Sequence, residues 1–365
     1  MRELPFSWSI TIRTVVLSLL LGGASGVLAT ALTANFLSDY AIELGEYTQP
    51  LRLSEQRPTT YPETYAEAID LVTEEVVPGV VTFFEPSWQT PTRYSLDDAL
   101  MQGVVLTADG WILAFDLPGV SESALVVAVQ GKIYEVEKVV KDVVSDAIFV
   151  KVSAEHLPVL AFGQGWKVKL GELVFMIPSQ DQLYSTSIAG FDWGNTLLHS
   201  SEELSRRIIL QDVFDEIVRG APVANLAGEL IGLVESNGKD GRLRVLPLEG
   251  ILPSFTSLLE NAEILRASLG AEVIDLAHTL GLTEEMTRGF THGSLLYGYQ
   301  AVEQGSAADK AGLLEGDILL SVDGQTINTS QTLDEYLSQY RFGSEVTFLI
   351  DREGEEIEVK VILGE

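Results

Sequence analysis

The chain contains no cysteine among its 365 residues. Without thiols it can form no disulfide framework, carry no thiolate nucleophile and build no cysteine-based metal cluster. Its four histidines are scattered along the sequence, and none stands at the short spacing that places two imidazoles on one metal ion. We therefore predict neither a metal site nor a cofactor.

Basic residues are also scarce. The 23 lysines and arginines face 53 aspartates and glutamates, which gives a formal net charge of −30. A surface that binds nucleic acid needs cations to neutralise phosphates, and a surface this acidic repels them. We therefore predict no nucleic-acid partner. Apolar residues make up 46% and charged residues 21% of the chain, proportions that are typical of a folded protein.

A long uncharged stretch lies near the amino terminus. Residues 14–38 contain no charged side chain, and a helix of this length can cross a hydrocarbon core of about 30 Å. Arg2 and Arg13 precede the stretch, whereas acidic residues follow it, so the positive-inside rule places residues 1–13 in the cytoplasm. We predict a single-pass membrane anchor with an extracytoplasmic bulk, either periplasmic or extracellular.

The segment after the predicted anchor has the composition of a tether. Residues 39–64 are polar, contain three prolines and show little periodicity, so we expect a linker. A cleaved signal peptide is the alternative to an anchor, since Ala29 and Ala31 form a small-x-small site after the apolar run.

Short apolar runs separated by turns dominate residues 80–252. Many short strands at close spacing indicate a sandwich or a barrel. Residues 258–269 have helical character and are predicted to connect two domains. The block after them alternates strands with helical stretches near 307–311 and 332–340, which predicts a small α/β domain.

Two adjacent motifs stand out in this last block. Residues 304–313 read QGSAADKAGL and residues 315–324 read EGDILLSVDG. They closely resemble the core motif of PDZ domains of the bacterial protease-associated kind. In that family a peptide adds as a strand between a sheet edge and a helix, and its terminal carboxylate sits in a loop of backbone amides. The resemblance implies a PDZ domain with a preceding linker helix over residues 256–365.

The resemblance also implies a peptide-binding groove. Residues 268–271 would form the carboxylate loop, in which Gly270 lets the backbone turn its amides toward one point, and Arg266 would attract the carboxylate. The predicted peptide-binding residues are Arg266, Ser268, Leu269, Gly270, Ala271, Val273, Leu333 and Leu337. As an alternative, Val273 and Leu333 are ordinary core residues.

Five motifs occupy the middle of the chain. They are VVPGVV at 76–81, GVVLTADGWIL at 103–113, DVVSDAIFVKV at 142–152, LPVLAFG at 157–163 and NLAGELIG at 225–232. Each resembles a segment of the trypsin-like domain of the HtrA/Deg family of envelope serine proteases. The resemblance implies a mainly β protein with a trypsin-like double β-barrel over residues 65–255.

The chain departs from that family at the catalytic triad. A serine protease needs a hydroxyl nucleophile, an imidazole that takes its proton and a carboxylate that orients the imidazole. Leu117 stands at the position of the histidine and Arg219 at that of the serine, and Asp146 alone matches. We therefore predict no catalytic residue. Asp146 is expected to keep a structural role, with Arg219 as its candidate partner.

No other constellation supplies a catalytic pair. The run HSS at 199–201 is interpreted as a polar loop, since neighbours along a chain rarely face each other in a productive geometry. Adjacent carboxylates such as Asp215 and Glu216 follow from the acidic composition and do not indicate a glycosidase site.

Three hypotheses for the function remain. The first is a catalytically degenerate HtrA-like homologue, a pseudoprotease that binds carboxyl-terminal peptides of unfolded envelope proteins as a scaffold or regulator in protein quality control. The second is an active serine endopeptidase, and the third is a structural protein whose groove is empty. The family resemblance further suggests a homotrimer built near Phe83 and Phe84, or a hetero-oligomer with active relatives.

Overall fold

The computed structural model describes residues 60–86, 93–117, 119–120, 125–194, 196–214 and 219–364. The predicted cytoplasmic tail, the membrane anchor and most of the linker lie outside these residues. Within the described ranges no helix is long and apolar enough to span a membrane. The first element is helix α1 (Tyr65–Glu75), whose amino end is capped by the Thr64 hydroxyl.

Six strands close into a first barrel. They are β1 (Val80–Phe84), β2 (Met101–Val105), β3 (Trp111–Phe115), β4 (Val126–Val129), β5 (Lys132–Lys141) and β6 (Ala147–Val152). All neighbours are antiparallel in the order β1-β2-β3-β6-β5-β4, and β4 closes on β1. Alternate residues of the strands fill the interior; Val81, Phe83 and Ile112 belong to its buried apolar cluster.

A second barrel follows, also of six antiparallel strands. They are β7 (Leu173–Ser179), β8 (Gln182–Asp192), β10 (Arg207–Val213), β11 (Pro222–Asn225), β12 (Leu230–Asn237) and β13 (Arg242–Pro247). Their order is β10-β13-β12-β11-β7-β8, closed between β8 and β10. Strand β9 (His199–Ser200) lies between β8 and β10 along the chain but belongs to a third sheet. The predicted double barrel is confirmed.

The third sheet forms the C-terminal domain (residues 267–364). Its own strands are β14 (Glu272–Asp275), β15 (Ser294–Leu296), β16 (Ile318–Val322), β17 (Gln325–Thr326), β18 (Glu345–Arg352) and β19 (Glu355–Ile362). The order is β19-β18-β16-β15-β14-β9, with β17 paired to β16. Three short helices accompany it: α3 (Glu284–Thr287), α4 (Ala307–Ala311) and α5 (Leu333–Leu337). One edge of this sheet is therefore made by a strand from the barrel region.

The connecting helix lies earlier than predicted. Helix α2 spans Leu252–Asn261, not 258–269, because Pro253 is tolerated in a first turn and Ala262 ends the helix with a left-handed φ of 63°. Phe255 on this helix packs against Trp111 and Phe149, with ring centroids 5.9 and 5.3 Å away. The helix is thus fixed to the first barrel before the chain enters the C-terminal domain.

Candidate functional site

The three triad positions lie at the first barrel and its border with the second. The Leu117 side chain packs against the apolar core of the first barrel. Asp146 is exposed and has a left-handed φ of 54°. The Arg219 guanidinium lies 5.4 Å from the centre of the Phe115 ring, and no ion pair joins it to Asp146 within the described chain. The proposed Asp146–Arg219 pair is thus not formed.

Asp142, four residues before Asp146, is the carboxylate with structural partners. It is 2% exposed and accepts hydrogen bonds from the hydroxyls of Ser145 (2.6 Å) and Ser254 (3.0 Å). Arg266 donates to it through Nε at 3.0 Å and also donates to the Gly250 carbonyl at 2.9 Å. Arg266, predicted to attract a peptide carboxylate, is therefore committed to the first barrel and not to the groove.

The histidines form no catalytic pair. His278 Nδ1 lies 2.7 Å from Asp275 Oδ2, and its ring stacks on Trp193 with centroids 3.8 Å apart. In the described part of the chain no imidazole is hydrogen-bonded to a serine or threonine hydroxyl.

The predicted carboxylate loop, residues 268–271, has amides that converge on one point. The backbone N–H groups of Leu269 and Gly270 donate to the same oxygen, Glu202 Oε1, at 2.7 and 2.9 Å, and Ser268 Oγ donates to it at 3.1 Å. Gly270 has a φ of 72°, and a Cβ atom there would lie 2.4 Å from Ser306 Cβ. Only glycine permits this turn, and the resulting concavity of amides binds an anion.

Strand β14 pairs with a strand of the same chain at the sheet edge. Strand β9 pairs with it in antiparallel register, with His199 opposite Val273. One residue further on, Ser201 N donates to the Ala271 carbonyl at 2.8 Å, and Ala271 N donates to Ser201 Oγ at 3.2 Å. The segment thus runs toward the carboxylate loop, where the Glu202 carboxylate occupies the amides.

The apolar residues predicted to line the groove share one buried cluster. The cluster contains Leu269, Ala271, Val273, Leu333 and Leu337. Each is at most 4% exposed, in a structure whose groove is covered by the chain itself. Of the eight predicted peptide-binding residues, all but Arg266 therefore lie together.

The chain after Glu202 is held by helix α5. Ser205 donates to Asp334 through its backbone N at 3.0 Å. Arg206 Nε lies 2.8 Å from Glu335 Oε1 in an ion pair whose side chains are 5% and 2% exposed, and Arg206 also donates to the Trp166 carbonyl at 2.7 Å. Residues 196–206, here called the docking loop, thus contact both the strand and the helix of the groove.

Two acids near Arg206 have raised pKa values. Burial raises the pKa of Glu335 to about 8 even though Arg206 opposes the shift. Burial likewise raises the pKa of Glu249 to about 7, although its carboxylate accepts a hydrogen bond from the Trp166 amide at 3.0 Å. Desolvation outweighs the nearby cation in both cases.

The docking loop was missed by the sequence analysis. The interpretation of residues 199–201 as a polar loop was wrong, because two of them form an edge strand and Ser201 is 1% exposed. A two-residue strand carries no alternation of apolar and polar positions, so periodicity cannot detect it. Its pairing partner lies about seventy residues away, and no local pattern encodes that contact.

Comparison with known proteins agrees with this architecture. The model of the PDZ domain family matches residues 269–363, so the C-terminal domain is a PDZ domain. Two antiparallel six-stranded barrels followed by this domain define the class as a trypsin-like protease fold with a PDZ domain.

Proteins of similar sequence carry the names of periplasmic serine endoproteases. The chain is 27% identical over 269 residues to a protein named "Probable periplasmic serine endoprotease DegP-like" from Hahella chejuensis, a match covering 72% of this chain and 56% of the relative. A protein of the same name from Halomonas elongata is 26% identical over 279 residues, covering 73% and 56%. The chain thus spans little more than half the length of these relatives.

Solved structures show the same fold. The HtrA-type protease AlgW with a tripeptide has a TM-score of 0.58 and 21% identity, covering 82% of this chain and 97% of that one. AlgW with a decapeptide gives a TM-score of 0.56 at the same identity, covering 82% and 98%. The chain therefore has the fold of the HtrA-type proteases, with a C-terminal PDZ domain.

Proposed function

We propose that this protein is a membrane-anchored HtrA-like homologue without protease activity, which binds free carboxyl termini of envelope proteins through its PDZ domain. One observation carries the proposal: the 268–271 loop holds a carboxylate oxygen with two amides while β14 receives an antiparallel strand. These are the two interactions by which a groove of this kind binds the end of a peptide. The occupant observed is the chain's own segment, so the groove's chemistry suits a carboxylate at the end of a strand.

The absence of protease activity is argued from the side chains at the triad positions. An isobutyl group at Leu117 accepts no proton, and a guanidinium at Arg219 supplies no nucleophilic oxygen. Loss of one such group lowers turnover by roughly 10⁴-fold or more. The Leu117 side chain also packs against the apolar cluster of the first barrel.

The relatives support the location and the ligand class. Their printed names describe periplasmic enzymes, which favours an extracytoplasmic bulk for this chain behind the anchor predicted at residues 14–38. The AlgW structures contain a tripeptide and a decapeptide, which favours peptides as ligands. A role as scaffold or regulator in quality control, as a homotrimer or together with active relatives, is what the family resemblance of the sequence motifs implies.

An active serine endopeptidase is the second candidate, favoured by the names of the relatives. Two assays on the purified chain separate the candidates. Unfolded casein should stay intact, and a labelled peptide with a free carboxyl terminus should bind more tightly than its amidated form.

Cleavage of casein that a fluorophosphonate abolishes would instead support the endopeptidase. Equal binding of the free and amidated peptides would contradict carboxylate recognition. If neither peptide bound, even to a variant in which the chain's own segment is held less tightly in the groove, the hypothesis of a structural protein would be favoured.

A further inference from the structure

The PDZ groove is filled by a segment of the same chain. Strand β9 lies where a peptide would add to β14, and the Glu202 carboxylate lies where a terminal carboxylate would bind. We propose that residues 199–202 are an internal ligand of this groove and that a free carboxyl terminus binds only by displacing them. This inference rests on the proposed function, since it presupposes that the groove binds peptides.

The geometry of the segment is that of a ligand end. From His199 the chain runs antiparallel to β14 toward the amides, as a peptide must if its last carboxylate is to reach them. A continuous chain cannot end there. It turns instead, with Glu203 N donating to the Ser200 carbonyl at 3.0 Å, and the Glu202 side chain alone enters the loop of amides. The side-chain carboxylate thereby takes the place of a terminal one.

No second ligand fits beside this segment. The other edge of β14 is already paired with β15, where Val273 stands opposite Leu296. On the open edge the Ala271 N–H and carbonyl are both engaged by Ser201. The two amides of the loop share one carboxylate oxygen. Internal and external ligands therefore compete for the same hydrogen bonds.

The docking loop has additional contacts that keep the segment in place. Leu198 packs on the apolar cluster that contains Ile274. On the far side Ser205 is bonded to Asp334, and the Arg206–Glu335 pair is almost fully buried. The internal ligand is thus tethered at both ends, which raises its effective concentration to the millimolar range or above. The apparent affinity for an external peptide equals the affinity of the open groove multiplied by the fraction of molecules whose groove is open.

The test is a fluorescence titration of the full chain with a labelled peptide that carries a free carboxyl terminus. We expect Glu202→Gln to bind this peptide on the order of tenfold more tightly than the wild type, because a neutral amide bonds the loop more weakly than a carboxylate. Glu203→Gln is the matched control. It removes the same charge one residue away, from an exposed side chain, and should leave the affinity near the wild-type value.

The outcomes separate the two proposals. Equal affinities for the wild type and Glu202→Gln would overturn the competition and leave peptide binding intact. Equal gains for Glu202→Gln and Glu203→Gln would also overturn it, since relief of charge repulsion would then explain the effect. Binding by neither form would overturn the proposed function and the inference with it.

A second variant and a second measurement test the proposal independently, in case Glu202→Gln does not fold. Ser205→Ala leaves Glu202 in place but removes a contact of the docking loop with α5, and should increase affinity in the same direction by a smaller factor. Saturating peptide should also speed hydrogen exchange of the Ser201 amide, which loses the Ala271 carbonyl when the segment leaves. A Ser201 amide that stays equally protected while peptide is bound would contradict displacement.

Discussion

The loop that receives a carboxylate depends on a single residue, Gly270. Its φ of 72° lies in the left-handed region, and its missing side chain makes room for Ser306, which caps helix α4. The motif resemblance predicts this loop from the sequence. The contact with Ser306 is a feature of the tertiary structure that the sequence does not display.

Gly270→Ala should therefore lower both stability and peptide binding. Left-handed strain costs about 1 kcal/mol, and the clash of the new Cβ with Ser306 Cβ at 2.4 Å adds about 1–3 kcal/mol. Gly305→Ala is the control, because Gly305 has a φ of 83° but nothing within 4 Å of its would-be Cβ. Chemical denaturation should show a larger loss for Gly270→Ala. Equal losses would mean that the contact with Ser306 contributes nothing.

The buried carboxylate of the first barrel is Asp142, whereas the sequence motif predicts a structural role for Asp146. Both lie in the motif that resembles the family's aspartate segment, in which Asp146 matches the family's aspartate. The structure assigns the hydrogen bonds to Asp142 because Ser254 and Arg266, more than a hundred residues away, converge on it. A single sequence does not show which distant residues come together around one side chain.

Asp142→Asn should destabilise the fold by about 3 kcal/mol, since it leaves the Arg266 guanidinium without its counter-charge in a largely buried site. Glu345→Gln is the matched control, because its ion pair with Lys360 is more than half exposed on both sides and should contribute less than about 1 kcal/mol. Free energies of unfolding from urea titrations compare the two. A loss for Asp142→Asn no larger than that for Glu345→Gln would contradict the structural role.

At the scale of elements, strong patterns were predicted well and weak ones were not. The apolar run of β1 and the helical stretch at Ala307–Ala311 lie where the sequence indicates them. Helix α2 was placed six residues late, because its first turn contains Pro253, which reads locally as a break. Strand β9 has too few residues for any periodicity and exists only through its partner.

We expect Glu335 on helix α5 to make the stability of the fold depend on pH. Glu335 has a pKa of about 8 in the folded chain against 4.5 for an ordinary glutamate, with Arg206, Asp334 and Glu249 as the charged groups around it. Between these values the folded state holds a proton that the unfolded state has released. Stability is therefore greatest at low pH within this window and falls as the pH rises toward 8, by at most about 1.4 kcal/mol per pH unit for one group.

Glu335→Gln tests this dependence. Glutamine preserves the capping interaction with the Thr332 amide but does not titrate. The free energy of unfolding, measured at several pH values from 5 to 8, should fall less steeply for the variant than for the wild type. The share of Glu249, whose pKa is about 7, should remain. Identical slopes would show that Glu335 does not titrate in this range.

At the scale of the whole molecule, the sequence predicted the double barrel and the PDZ domain that follows it, but not the contacts between them. The barrels meet the PDZ domain through the Arg206–Glu335 pair and the pairing of β9 with β14, and the Arg266–Asp142 pair fixes the residue that directly precedes the domain. Each contact joins residues that are far apart in the chain. A motif identifies one domain at a time and therefore does not predict the contacts between domains.

Strand β9 comes from the barrel region, so the outermost strand of the PDZ sheet lies outside the PDZ domain itself. A fragment beginning after helix α2 would expose the bare hydrogen-bonding edge of β14, and uncovered edges invite neighbouring copies to pair and aggregate. The edge of β14 is therefore covered only while the barrel region and the PDZ domain belong to one polypeptide. Severing them would change solubility as well as ligand access.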